Sequence, residues 1–95
     1  MKTEDLIPVQ ELCIQYKVEF EFINSLNEIG LIEIIDREEE HYINKEHLEE
    51  VERLMRLHSD LGINLEGIEA ISHLLKRVDE LQKEILFLKN KFGEI

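Results

Sequence analysis

The sequence predicts a mainly α-helical domain with a small β-hairpin and a long C-terminal helix. Three observations indicate this fold class. Apolar residues recur at helical spacing over most of the chain, one short segment at 31–35 is rich in β-branched residues, and a heptad pattern fills the last quarter. A length of 95 residues suits one domain. We therefore expect a single domain over 1–95, with a core at 1–62 and the long helix at 63–95.

The first third of the chain predicts two short helices joined by a tight turn. The first is expected to begin at Pro8, and its apolar face comprises Val9, Leu12, Cys13 and Tyr16. The second is expected over residues 19–29, with Ile23, Leu26 and Ile29 on one stripe. Gly30 follows as a stop signal, because glycine tolerates the left-handed backbone that ends many helices. Two short helices connected in this way form a helix-turn-helix.

A β-hairpin is expected directly after the second helix. Residues Leu31 to Ile35 favour a strand, and Tyr42 and Ile43 form the return strand. The charged segment from Asp36 to His41 is the expected tip. A hairpin in this place is the wing of a winged helix-turn-helix.

The second half of the chain predicts two further helices. Asn44 is the expected N-cap of the third helix, which ends at Gly62, and Asn64 is the expected N-cap of the fourth. The fourth helix carries apolar residues at alternating spacings of three and four: Ile71, Leu74, Val78, Leu81, Ile85, Leu88 and Phe92. We expect this seam to form a homodimer. The alternative is a helix folded back on its own domain, for which residues 71–78 would be enough.

Negative charge is concentrated in one third of the chain. The net charge is −11, and residues 19–50 hold eleven acidic against two basic side chains, a local net charge of −9. Such a surface repels phosphate and attracts basic protein surfaces. A solvated face that only keeps the protein soluble is the alternative interpretation.

Motifs for catalysis or metal binding are absent from the sequence. The four histidines have no metal-ligand spacing, the serines lie in no nucleophile elbow, and the four glycines form no phosphate loop. We expect no enzyme activity, no cofactor and no metal site. The segment Met1 to Asp5 lacks the pattern of a signal peptide, and no apolar run is long enough to span a membrane. With one cysteine in the chain, the expected location is cytoplasmic.

Two segments resemble a known family. The first comprises Glu11-Leu12-Cys13, Val18 and Ile29-Gly30-Leu31-Ile32-Glu33, and the second runs from Arg56 to Ile68 and includes Asn64-Leu65-Glu66-Gly67-Ile68. Together they resemble the MerR-like winged helix and, more closely, the chaperone modulator CbpM family. The resemblance covers nearly the whole chain. It implies a MerR-like winged helix-turn-helix with a C-terminal dimerisation helix.

The resemblance leaves two functions open, and charge favours one of them. In MerR-type DNA-binding regulators, arginines on the second helix and on the wing grip the duplex, but the corresponding helix positions here are Glu21 and Asn24. No Lys or Arg occurs from Val18 to Asp36. Because affinity for nucleic acid depends mainly on neutralising phosphates, we expect no DNA binding.

Resemblance to the CbpM family implies a protein partner instead. That partner is the J-domain of a DnaJ/CbpA-like co-chaperone, whose basic helix helps to stimulate a DnaK-type chaperone. The residues expected to bind it are Glu19, Glu21, Phe22, Glu38, Glu39 and Glu40. Phe22 is an interface anchor if its ring is exposed, and the alternative is that Phe20 and Phe22 both close the core. A scaffold without a J-domain partner is the remaining possibility.

Overall fold

The computed structural model describes residues 5–93 and confirms the mainly helical winged fold. Met1 to Glu4, which belong to the segment considered as a signal peptide, lie outside the described residues. The elements follow in this order: β1 (Leu6–Pro8), α1 (Val9–Tyr16), α2 (Phe20–Glu28), β2 (Ile35–Arg37), β3 (Glu40–Asn44), a 3-10 turn (Lys45–His47), α3 (Leu48–Leu61) and α4 (Leu65–Phe92).

The wing is a three-stranded antiparallel sheet rather than a simple hairpin. Its strand order is β1-β3-β2, so β3 is the central strand and β1 pairs with the edge of β3 that faces away from β2. Ile7 lies opposite Ile43, and Ile35 lies opposite Tyr42. The sequence analysis did not predict β1, because a strand of three residues that ends in a proline carries no measurable alternation. Pro8 ends this strand, and α1 begins one residue later, at Val9.

The strand predicted for Leu31 to Ile35 is wrong except at its last residue. Residues 31–34 continue irregularly from the end of α2. The backbone N–H of Leu31 donates to the carbonyl of Leu26 at 2.9 Å, and that of Ile34 donates to Asn27 Oδ1 at 3.0 Å. Ile32 is buried in the core. The run is therefore a connection that packs Ile32 into the core, and the backbone N–H groups of Leu31, Ile32 and Ile34 donate to α2.

The core lies between the helix-turn-helix, α3 and the first turn of α4. The residues buried there, among those described, are Leu6, Val9, Leu12, Val18, Ile23, Leu26, Ile32, Ile43, Val51, Leu54, Met55 and Ile68. Within the same described part of the chain, no polar or charged residue is fully buried. The predicted apolar faces of the first three helices supply most of this set.

Local signals set the ends of the helices. Asn64 caps α4 by accepting a hydrogen bond from the backbone N–H of Gly67 at 2.9 Å, and Gly62 ends α3 with φ of 68°. Both predictions are confirmed. Asn44 accepts from the backbone N–H of Glu46, but it caps the 3-10 turn, and α3 itself begins at Leu48.

Helix α4 extends well beyond the core. It has 28 residues, which at about 1.5 Å per residue gives a rod of roughly 42 Å. Ile68 is its buried residue, whereas residues 73–92 are all exposed. The helix is therefore not folded back on its own domain. No helix within residues 5–93 combines the length and apolar character needed to span a bilayer.

Candidate protein-interaction surface

The acidic residues predicted to bind a partner lie on two neighbouring structures. Glu19 is the N-cap residue of α2, and Glu21 is in the first turn of that helix. Glu38 and Glu39 form the turn of the β2–β3 hairpin, and Glu40 is the first residue of β3. All five side chains are exposed. Their carboxylates are therefore accessible to a partner.

A ring contact holds the wing against the start of α2. The rings of Phe20 and His41 stack with their centroids 4.7 Å apart, and His41 Nδ1 donates to Asp36 Oδ1 at 2.6 Å across the hairpin. Because residue 41 follows Glu40 and residue 20 follows Glu19, this contact draws the two acidic segments together.

The two segments enclose a groove of about 580 Å³ between α1, the start of α2 and β3. We call it the acidic groove, and the residues that line it are Val9, Gln10, Cys13, Lys17, Val18, Glu19, Phe20, Glu40 and His41. Glu19 and Glu40 both line it, so the structure brings these two predicted residues together. Glu38 and Glu39 lie beyond its edge, at the hairpin tip.

The pKa of Cys13 is affected by the negative charges near the acidic groove. Its side chain is half-buried, and the pKa of its thiol is raised above the ordinary value. Partial burial is the larger cause, and the negative charges of Glu19 and Glu21 add to it, because both effects disfavour a thiolate. Glu21 is thus close enough to influence the groove, although it does not line it.

Phe22 lies apart from the groove, half-buried against the core. Its ring stacks on the imidazole of His58, with centroids 3.9 Å apart and an angle of 15° between the planes. His58 Nδ1 donates to the carbonyl oxygen of Ile63 at 2.9 Å, since a carbonyl can only accept. This placement favours the core-closing alternative for Phe22 and for Phe20. A role for Phe22 in partner binding stays a prediction.

Comparison with known families bears on the whole of this architecture. The family model for MerR HTH family regulatory proteins matches residues 7–90, which include the helix-turn-helix, the wing and most of α4. The chain belongs to the MerR HTH family. Searches of curated proteins and of solved structures gave no match.

The second helix of this MerR-family helix-turn-helix carries no basic side chain. No Lys or Arg occurs between residues 18 and 36, a range that contains all of α2. Of the two residues that the resemblance compared with arginines, Glu21 is exposed and Asn24 is half-buried. Lys17 and Arg37 are the basic residues that flank this range. The surface that a DNA-binding relative would need to make positive is therefore strongly negative.

The second exposed surface of this MerR-family chain is the apolar seam of α4. Ile71 is half-buried where the helix leaves the core, and the other six predicted residues are exposed. Leu74 is 65% and Phe92 66% exposed, which is a large apolar area for a free helix. Lys91 Nζ lies 5.9 Å from the ring centroids of both Phe87 and Phe92.

Metal binding finds no support in residues 5–93, where His, Cys, Asp and Glu form no cluster that could hold an ion.

The acidic groove itself was not predicted from the sequence. His41 was predicted only as part of the hairpin tip, and Cys13 only as a helix-face residue. Their meeting depends on the packing of the wing against α2, for which a single sequence contains no local signal.

Proposed function

We propose that this MerR-family protein is a non-enzymatic chaperone modulator. In this proposal it binds the J-domain of a DnaJ/CbpA-like co-chaperone and inhibits its stimulation of a DnaK-type chaperone. The observation that supports it most is the exposed acid at the start of α2 and at the wing tip, with Glu19 and Glu40 on one groove. The resemblance to the CbpM family supplies the identity of the partner.

Complementary charge explains why such a protein would compete for a J-domain. A J-domain uses a basic helix to engage its chaperone, so a protein that covers this helix blocks the stimulation. Opposite charges on the two surfaces raise the association rate more than the final affinity. Rapid association at physiological salt suits a competitor that must reach the helix before the chaperone does.

Calorimetry with a purified J-domain tests this function. The J-domain should release or absorb heat on mixing, and binding should weaken as the salt concentration rises, because the charges become screened. A steady-state ATPase assay of the DnaK-type chaperone should then show less stimulation as this protein is added. Absence of a complex at low salt would overturn the proposal.

DNA binding is the second candidate function, favoured by membership of a helix-turn-helix regulatory family. The charge of α2 argues against it, since no base or phosphate contact from Lys or Arg is available over residues 18–36. A gel-shift assay with the genomic region around the protein's own gene distinguishes the two. Tight, sequence-dependent binding at physiological salt would favour the regulator.

The proposal includes a homodimer formed through the seam of α4. A helix whose residues 73–92 are all exposed gains stability by burying its apolar stripe against a second copy. Most of the positions around the seam are charged or polar, which limits the contact to one face of the helix. The seam and the acidic groove share no residue, so the two contacts use different parts of the chain.

A further inference from the structure

The acidic groove combines features that fit the side of an amphipathic helix. Val18 is buried at its base, and the half-buried side chains of Cys13 and Phe20 offer apolar surface. The volume of about 580 Å³ lies within the range of about 300–1,000 Å³ that is usual for concave binding sites. Glu19 and Glu40 line the same groove, and the side chains of both residues are exposed to solvent.

The charges around this apolar surface select a basic occupant. Glu19 belongs to the turn before α2 and Glu40 to the start of β3, so a negative side chain lies on two of the three segments that border the groove. Lys17 also lines the groove and offsets part of this charge. Glu21, whose field reaches Cys13, and the glutamates of the hairpin tip leave the surroundings negative.

We infer that the acidic groove receives one apolar side chain from the basic helix of the J-domain, with neighbouring Lys or Arg residues of that helix facing Glu19 and Glu40. This inference rests on the proposed function and assigns it a place on the molecule. The apolar side chain covers Cys13 and Phe20, which gives the complex an anchor. Charge alone, spread over an exposed surface, contributes little to affinity.

Cys13 makes the groove directly observable, since it is the only cysteine in the chain. The experiment measures alkylation of Cys13 by N-ethylmaleimide with intact-mass spectrometry, first for the free protein and then with a saturating cysteine-free J-domain. Alkylation should be roughly tenfold slower in the complex, because an occupied site is covered over most of its lining. The matched control carries Cys13→Ser and Asn90→Cys, which moves the thiol to an exposed position of α4 outside the seam. Its alkylation rate should not change.

Charge reversal gives a second measurement that does not depend on the thiol. The double variant Glu19→Lys and Glu40→Lys should weaken J-domain binding by roughly tenfold in total, because each exposed charge pair contributes only about threefold to affinity. The control variant, Glu66→Lys and Glu80→Lys, makes the same change in net charge on exposed positions of α4. It should weaken binding far less. Circular dichroism of both variants verifies that they are folded.

The outcomes separate this inference from the proposed function. A J-domain that binds in calorimetry but leaves Cys13 as reactive as in the free protein overturns the groove and leaves the modulator function standing. Equal weakening by the two charge-reversed pairs has the same meaning, because it indicates attraction by overall charge. A J-domain that does not bind at all overturns the proposed function, and the inference with it.

Discussion

The ring of Phe22 lies almost parallel to the imidazole of His58, and this contact joins α2 to the corner between α3 and α4. His58 is in turn fixed by its hydrogen bond to Ile63 in that corner. In the sequence, Phe22 follows Glu21 in an acidic segment and looks like an exposed anchor, because the residue on which its ring stacks lies 36 positions further along the chain. Its partial burial therefore could not be predicted from local pattern.

Replacing Phe22 with alanine should lower the free energy of unfolding by roughly 2 kcal/mol. Half-burial of the ring and loss of the stacked pair both contribute to that figure. Urea denaturation at a fixed protomer concentration measures it. Phe87→Ala is the control, since Phe87 is 63% exposed on α4, and we expect it to change stability by less than about 0.5 kcal/mol. A Phe22→Ala protein as stable as the wild type would restore the interpretation of Phe22 as a free anchor.

At Cys13, the field of the acidic residues has a measurable consequence. Removing the charge of Glu19 with Glu19→Gln should lower the pKa of the thiol, because less negative charge then opposes the thiolate. More thiolate at a fixed pH between 8 and 9 means faster alkylation. The pH dependence of the rate shows whether the pKa itself has moved. Glu28→Gln, at the exposed end of α2, should leave the profile where it is.

At the scale of elements, helix ends that depend on nearby residues could be predicted from the sequence, whereas elements that depend on residues far along the chain could not. The caps at Gly62 and Asn64 were predicted because a cap acts within one helical turn. Strand β1 was missed because it pairs with β3, whose residues lie far from it in the sequence: Leu6, for example, lies opposite Asn44. Residues 31–34 were misassigned because β-branched residues are equally suited to a buried connection. Of the predicted site residues, the sequence indicated their charge but not which of them share a groove.

The cap of α4 is a test of how much a local signal contributes. Asn64→Ala removes the acceptor for the N–H of Gly67, so the free energy of unfolding should fall by about 1 kcal/mol. The midpoint of thermal unfolding, followed by circular dichroism at 222 nm, gives the change. Asn90→Ala offers the matched control within the same helix, where no cap is lost. If both variants melt together, the cap of α4 contributes nothing.

At the scale of the whole molecule, charge and apolar surface are segregated. Residues 5–64, which form the winged part of the molecule, include fifteen acidic and five basic residues, whereas α4 holds five of each. The exposed seam therefore lies on a helix with no net charge, and the groove lies in the negative winged part. This division allows self-association and partner binding to use different surfaces, and it keeps the strongest repulsion between protomers away from the proposed contact.

Disrupting the seam tests the homodimer. Val78 and Leu81 lie at its centre and are 48% and 40% exposed in the single chain. The double variant Val78→Glu and Leu81→Glu should halve the mass measured by light scattering, because carboxylates cannot be buried in an apolar contact. Lys76→Glu, on the same helix but outside the seam, should keep the wild-type mass. A wild type that already has the mass of one chain would show that the seam serves another purpose.

The two glutamates in the turn of the wing have a strained backbone conformation. Glu38 and Glu39 have φ of 51° and 68°, a left-handed geometry that costs a side-chain-bearing residue about 1 kcal/mol and that Asn-Gly adopts readily. A Glu38→Asn, Glu39→Gly protein should therefore survive a higher temperature, yet capture a positively charged partner more slowly in dilute buffer. At this one bend, resistance to heat and speed of encounter place opposite demands on the same two residues.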